Sequence, residues 1–295
     1  MALMPFDDRD GSIWINGEMI PWREATSHTL SHGLHYASTV FEGERVYTGV
    51  IFKGREHTER LRRSCEMLDF ELPLSDDELD AAKMAVVEAN GIVDGYVRAF
   101  AWRGSEMMAI SAQHTTTHVA IAAWEWPSYF DPETKMKGIT LDIADWKRPS
   151  PESAPVHAKA AGLYMICTLS KHAAEKKGFQ DALMLDYRGY LAEATGANVF
   201  FVDKEGTIHT PIADCFLDGI TRRTVIALAE SLQMKVVQRH LTLDDLSEMT
   251  ECFLTGTAAE VTPVSQIGDA SFTPGHISRQ LVDGYENLVR GRIAL

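Results

Sequence analysis

Residues 181–203 read DALMLDYRGYLAEATGANVFFVD. Apolar and small residues gather in three short runs, Ala182 to Leu185, Tyr190 to Glu193 and Val199 to Val202. Turn residues Tyr187-Arg188-Gly189 separate the first two, and Lys204-Glu205-Gly206 ends the third. Strand-sized runs broken by close turn signals predict an antiparallel meander. Upstream lie an expected strand from Ile139 to Ala144, a Pro-containing loop from Arg148 to Pro155, and an expected helix from Leu163 to Lys177 closed by Gly178. Downstream, a helix from Thr221 to Leu232 leads to strands at Lys235 to Gln238 and Glu251 to Leu254.

The other half of the chain opens on alternating residues, Ser12 to Ile20, with Ile13 and Ile15 on one face and Asn16-Gly17 as a hairpin turn. Ser75-Asp76-Asp77-Glu78 is a capping-box pattern, followed at helical spacing by Leu79, Ala82, Ala85 and Val86. Two β-rich runs, Gly95 to Trp102 and Thr117 to Trp124, flank a Met-rich loop from Ser105 to Gln113. Helices and strands are segregated, so the class is α+β. An irregular stretch holding Pro127 and Pro132 is the expected linker, 125–137, with the boundary near Asp131. It separates a small N-terminal domain, 1–124, from a larger C-terminal one, 138–295. Two domains are also what 295 residues predict.

A net charge of -14 argues against nucleic acid, whose binding rests on clustered Lys and Arg. No apolar run approaches the ~20 residues of a membrane helix. The N-terminus resembles no export signal, so a cytoplasmic location is expected. Cys65, Cys167, Cys215 and Cys252 are scattered, with no metal-ligand spacing, and read as reduced core thiols. No metal is expected.

Lys159 lies in Ala158-Lys159-Ala160-Ala161-Gly162, where small neighbours leave room for a planar group to reach the amine. An ordinary solvated lysine explains that stretch equally well. Glu193 ends a half-buried strand and could meet an aromatic ring nitrogen, although strand-end glutamates are usually solvated. Gly219-Ile220-Thr221 and Gly256-Thr257-Ala258-Ala259 are each expected to precede a helix, offering backbone N–H groups to a small anion or merely capping that helix.

Taken together and in order, Ala158-Lys159-Ala160, Glu193-x-x-Gly196-x-Asn198, Gly219-Ile220-Thr221-Arg222 and Thr255-Gly256-Thr257-Ala258-Ala259-Glu260 resemble fold type IV aminotransferases, and most closely the branched-chain amino acid aminotransferases. The N-terminal half shares the resemblance through Ser31-His32-Gly33-Leu34-His35-Tyr36, Val40-Phe41-Glu42-Gly43-x-Arg45, Glu56-His57-x-x-Arg60-Leu61 and Tyr96-Val97-Arg98. It implies a small N-terminal α/β domain and a larger C-terminal domain with a β-barrel-like core.

The resemblance further implies pyridoxal 5'-phosphate as cofactor, bound to Lys159 as a Schiff base. Tyr164 would meet its phenolic oxygen and Glu193 its pyridine nitrogen. Arg60, Ile220, Thr221 and Thr257 would hold its phosphate, with Gly196, Asn198, Leu217, Gly219 and Gly256 completing the cofactor site. Lys159 would also carry the proton between substrate and cofactor. For substrate it implies Tyr36, Phe41, Gly43, Arg45, Tyr96, Arg98, Ile110, Trp126 and Tyr129, with Thr257 and Ala258 toward the α-carboxylate. A half-buried Arg98 in an apolar strand calls for an anionic partner.

The implied reaction is ping-pong transamination of L-leucine, L-isoleucine and L-valine with 2-oxoglutarate, in a homodimer or larger assembly. Ala109 stands where relatives often carry glycine, in a loop implied to reach a neighbouring subunit. A D-amino acid aminotransferase, an amine transaminase or an aminodeoxychorismate lyase would share Lys159 and Glu193. A noncatalytic pyridoxal-phosphate-binding protein and a cofactor-free metabolite-binding scaffold are rivals of a different class.

Overall fold

The computed structural model describes residues 5–126 and 135–295, which divide into two compact units. The first holds 5–126 together with Ala158–Gly162, and the second holds 135–157 together with Leu163–Leu295. Most of the expected linker, Asp131 included, lies outside the described residues. The short segment around Lys159 thus belongs to the unit built mainly from the N-terminal half.

That first unit contains β1 (Ser12–Ile15), β2 (Glu18–Pro21), α1 (His32–Tyr36), β3 (Thr39–Phe41), β4 (Glu44–Tyr47), β5 (Val50–Ile51), α2 (Gly54–Met67), α3 (Asp76–Ala89), β6 (Gly95–Arg103) and β7 (Thr117–Glu125). Its sheet runs β2-β1-β7-β6-β4-β5, with β3 also on β6. The expected hairpin forms, its turn residues Asn16 and Gly17 both at positive φ. Trp14 supplies its buried side chain, while Ile13 and Ile15 share the other face.

Ser75 and Glu78 make the full capping box of α3. Leu79, Ala82 and Val86 are buried as expected, but Ala85 is exposed and Lys83 takes its place inside. Positions 79, 82, 83 and 86 form one helical stripe from which 85 is turned away. Lys83 is tolerated there because its Nζ donates to Glu44 Oε2 at 2.9 Å, Gly54 O at 2.9 Å and Thr58 Oγ1 at 2.7 Å.

The second unit contains β8 (Ile139–Ile143), α4 (Met165–Lys176), β9 (Asp181–Leu185), β10 (Leu191–Ala194), β11 (Asn198–Asp203), β12 (Ile208–Thr210), α5 (Ile220–Ser231), β13 (Val236–Gln238), β14 (Met249–Gly256), β15 (Glu260–Ile267), β16 (Ala270–Ser271) and α6 (His276–Val289). Its sheet runs β10-β9-β8-β15-β14-β11-β12-β13, and β10 pairs also with β11. That extra pairing closes β8, β9, β10, β11, β14 and β15 into a six-stranded barrel, as the resemblance implied. Leu141, Leu183, Val199, Phe201, Leu254 and Val264 are among the residues of its core.

The meander read from residues 181–203 is present as β9, β10 and β11, antiparallel throughout. One expectation is corrected: Gly256–Ala259 does not precede a helix but turns β14 into β15, pairing Gly256 with Glu260 and Thr255 with Val261. Val261 and Val264 are buried in β15, and cross-strand pairing outweighs the helix-start chemistry of the turn. Among the described residues no helix is long and apolar enough to span a membrane. All four cysteines are free and buried.

Candidate active site

In the first unit, Lys159 is pinned by its backbone. Its N–H donates to Ser64 Oγ at 3.0 Å, its carbonyl accepts from Phe41 N–H at 3.1 Å, and Ala160 bridges to Val40. Ala158 and Ala160 are buried, so the backbone is fixed while the half-buried side chain runs over the Phe41 ring, Nζ 5.0 Å from its centre. The Arg98 guanidinium lies 4.6 Å from the same ring. Among the described residues Arg98 has aromatic partners: Phe41, and Tyr96, whose ring it overlies and whose hydroxyl is 3.5 Å away. A guanidinium is weakly enough hydrated to rest on aromatic faces.

Tyr96 packs on Trp126 at 5.4 Å, and a Cβ at Gly43 would overlap its hydroxyl, so glycine is required there. Phe41, Gly43, Tyr96, Arg98, Trp126 and Lys159 therefore form one cluster. Arg45 pairs with Tyr96 across β4 and β6 and is buried over Tyr47. Tyr36 is 46 % exposed and Ile110 88 % exposed, too open for aromatic or aliphatic side chains serving this cluster within their own unit. His32 stacks on Tyr36 and its Nε2 donates to the Ala109 carbonyl at 2.9 Å, tying the Met-rich loop to α1. Tyr129 lies outside the described residues.

Helix α2 turns His57, Arg60 and Ser64 to one face, as spacings of three and four residues require. Arg60 is buried, and Glu42 receives it with two hydrogen bonds and accepts another from His57 Nδ1. Burial would raise the Glu42 carboxyl, but the Arg60 guanidinium and His57 hold it well below the usual carboxylate range.

In the second unit, Glu193 and Asn198 face each other across the turn between β10 and β11. Glu193 is 9 % exposed. Asn198 Nδ2 donates to its Oε2 at 3.2 Å, and Arg148 Nε lies 3.4 Å from its Oε1. Burial works against the Arg148 charge, yet Glu193, assisted by Cys167 and Tyr164, raises the guanidinium above its ordinary value. Arg148 in turn donates to Cys167 Sγ, whose thiol burial pushes up to about 11. The Glu193 carboxylate is thus held from both sides.

Helix α5 begins at Ile220 after Gly219, with no side chain capping it, and both Ile220 and Thr221 are buried. Its first N–H groups have no intrahelical acceptor, which suits an anion. Arg222 is turned away, held by Asp218, Pro211 O and Gln238. Leu217 offers its carbonyl to Asn198 Nδ2 at 3.0 Å. Gly196 lies in the β10–β11 turn, while Gly256, Thr257 and exposed Ala258 form the β14–β15 turn. Thr255 Oγ1 is buried without a hydrogen-bond partner among the described residues. A negative group for a ring nitrogen and an uncapped helix end for a phosphate make the donor set of this unit fit pyridoxal 5'-phosphate.

The sequence reading gave no role to Arg148, Glu42 or His57. Arg148 opens the Pro-containing loop, and its backbone bond to Leu185 O and bridge to Asp186 bring it beside Glu193. Glu42 and His57 lay inside quoted motifs, and acid, histidine and arginine in adjacent segments were the available signal.

Residues 39–267 match the family model described as amino-transferase class IV. A probable branched-chain-amino-acid aminotransferase of Rickettsia conorii is 42 % identical over 294 residues, covering 98 % of this chain and 100 % of that protein. The structure of the T.th. branched-chain amino acid aminotransferase with pyridoxamine 5'-phosphate superposes with TM-score 0.93 at 38 % identity, covering 97 % of this chain and 96 % of that one. The same enzyme complexed with N-(5'-phosphopyridoxyl)-L-glutamate gives TM-score 0.91 at 37 % identity, with the same coverage. The chain belongs to the class IV aminotransferases, in the family of the branched-chain amino acid aminotransferases.

Proposed function

We propose that the protein transfers the amino group of L-leucine, L-isoleucine or L-valine to 2-oxoglutarate, giving branched 2-oxo acids and L-glutamate, in two half-reactions of a ping-pong cycle. The observation that carries this reading is the Glu193 carboxylate held between Arg148 and Asn198 in the unit that also presents the uncapped start of α5. Pyridoxal 5'-phosphate, when bound, supplies a protonated ring that accepts the electron pair left at the substrate Cα.

The residues of this chain do the rest. Glu193 keeps the ring nitrogen protonated, because an adjacent carboxylate favours the charged form. Lys159 would hold the cofactor through Nζ, and its amine, once freed by substrate, would take the proton from the substrate Cα and give it up again, acting first as base and then as acid. Tyr164 hydrogen-bonds the phenolic oxygen. Ile220 and Thr221 offer N–H groups and Thr257 its hydroxyl to the phosphate, and Arg60 adds a positive charge.

Phe41, Tyr96 and Trp126 suit a branched apolar side chain, and Arg98 on the same aromatic surface suits the second carboxylate of glutamate. Glutamate is the amino acid in the ligand of the T.th. complex. Thr257 and Ala258 amides serve the α-carboxylate. Tyr36 and Ile110 act across a subunit boundary, which makes the working unit a homodimer or larger; their exposure supports this. Four free buried thiols agree with a cytoplasmic setting.

The test is a donor panel of L-leucine, L-isoleucine, L-valine, D-alanine and a chiral aryl amine, each with 2-oxoglutarate. Turnover of the three branched L-amino acids is expected. Turnover confined to D-alanine or the amine would overturn the substrate assignment.

A further inference from the structure

Asn198 occupies a junction of three segments in the second unit. As the first residue of β11 it pairs with Glu193 of β10 on one side and with Thr255 of β14 on the other. Its side-chain amide has two hydrogens, and Nδ2 has two acceptors: Glu193 Oε2 at 3.2 Å and Leu217 O at 3.0 Å. The amide oxygen packs against Gly219 so closely that a Cβ at that position would overlap it. Gly219 is the residue immediately before α5. One planar amide, 5 % exposed, therefore touches the acid, the loop leading to the helix end and the glycine at that end.

We propose that Asn198 is a positioning residue that fixes the Glu193 carboxylate relative to the start of α5, so that one rigid ligand is held at its ring nitrogen and its phosphate together. This rests on the cofactor reading above and deepens it, because family resemblance assigned Asn198 to the cofactor site without a task. The physical case is one of preorganisation. A carboxylate near the end of a strand can rotate about its own side-chain bonds, and Arg148 on one oxygen does not fix the plane. A second hydrogen bond to the other oxygen does. Because the same nitrogen is tied to Leu217, rotation of the acid is coupled to the loop before α5. Alanine at 198 would remove the one donor shared by the Leu217 carbonyl and Glu193 Oε2, and with it the tie between the acid and that loop.

The full-length protein, stripped of cofactor, is titrated with pyridoxal 5'-phosphate and with its 1-deaza analogue, in which CH replaces the ring nitrogen. Wild type is expected to prefer the natural cofactor by about ten- to a hundredfold, the range for a hydrogen bond to a charged group. In Asn198→Ala that preference is expected to fall below about threefold, because the analogue never used the acid. Asn198→Ser, which keeps a small polar group too short to bridge both acceptors, is expected to behave alike. Circular dichroism and melting of the cofactor-free protein accompany each titration. Equal weakening of both ligands, with the preference intact, would show a merely structural asparagine and overturn the proposal. Failure of both variants to fold would also overturn it. Absence of any preference in wild type would instead overturn the Glu193 role on which it depends.

Discussion

Glu42 accepts hydrogen bonds from both Nε and Nη2 of Arg60, each at 2.7 Å, with its carboxylate fully buried. Two parallel bonds fix the plane of the guanidinium as well as its position, which one charge facing another would not do. Glu42→Gln keeps the shape but removes the countercharge to Arg60 and one acceptor of the His57 ring. It should cost about 3 kcal/mol at pH 7, the lower end for breaking a buried pair, and weaken cofactor binding.

The pH dependence follows from the direction of the Glu42 shift. A carboxyl held below its unfolded value of about 4.3 contributes stability that is complete above that pH and lost as pH falls through the lower folded value. Urea titrations should show the wild-type advantage over Glu42→Gln constant from pH 7 to about 5 and shrinking below about 4. A gap that widened toward acid would contradict the assignment.

The neighbouring pair behaves oppositely. Burial raises the Glu44 carboxyl despite Lys83, so its contribution is complete below the unfolded value and lost as pH rises through the folded one. Lys83→Met removes the main counterweight. The variant should be destabilised by about 3–5 kcal/mol near neutrality and recover part of this as the pH falls and Glu44 takes up a proton. Melting temperatures at pH 5 and pH 8 decide it.

Arg148 and Glu193 form a buried pair in which removing one charge strands the other. Arg148→Met should cost about 3–5 kcal/mol, and adding Glu193→Gln should return part of it. A double variant whose loss equals the sum of the two single losses would mean that the side chains do not interact.

At the surface the expected scale is smaller. Ser75 Oγ accepts from Glu78 N–H while the Glu78 carboxylate accepts from Ser75 N–H. Ser75→Ala should lower stability by about 1 kcal/mol and leave turnover unchanged.

These residues also show how much of the molecule was readable in advance. The Ser75 cap, the Asn16-Gly17 hairpin and the 181–203 meander are local: turn chemistry and alternation within a few residues determine them, and all three are present. Closure of the barrel depends on β10 meeting β11 and on β8 lying parallel to both β9 and β15, pairings that no short window of sequence contains. The turn at Gly256 was misjudged for the same reason, since its small residues and hydroxyl suit a helix start as well as a hairpin. The burial of Lys83 was not legible either, because its partner Glu44 lies 39 positions away. Within the site, Lys159 and Glu193 stood out through family motifs, whereas Arg148 depended on a loop returning to β9.

The most direct test of the account is reduction of the cofactor-loaded protein with borohydride, followed by peptide mapping by mass spectrometry. A phosphopyridoxyl group on the peptide containing Lys159, absent from Lys159→Ala, is the predicted result. An unmodified Lys159, or the group on another lysine, would contradict it.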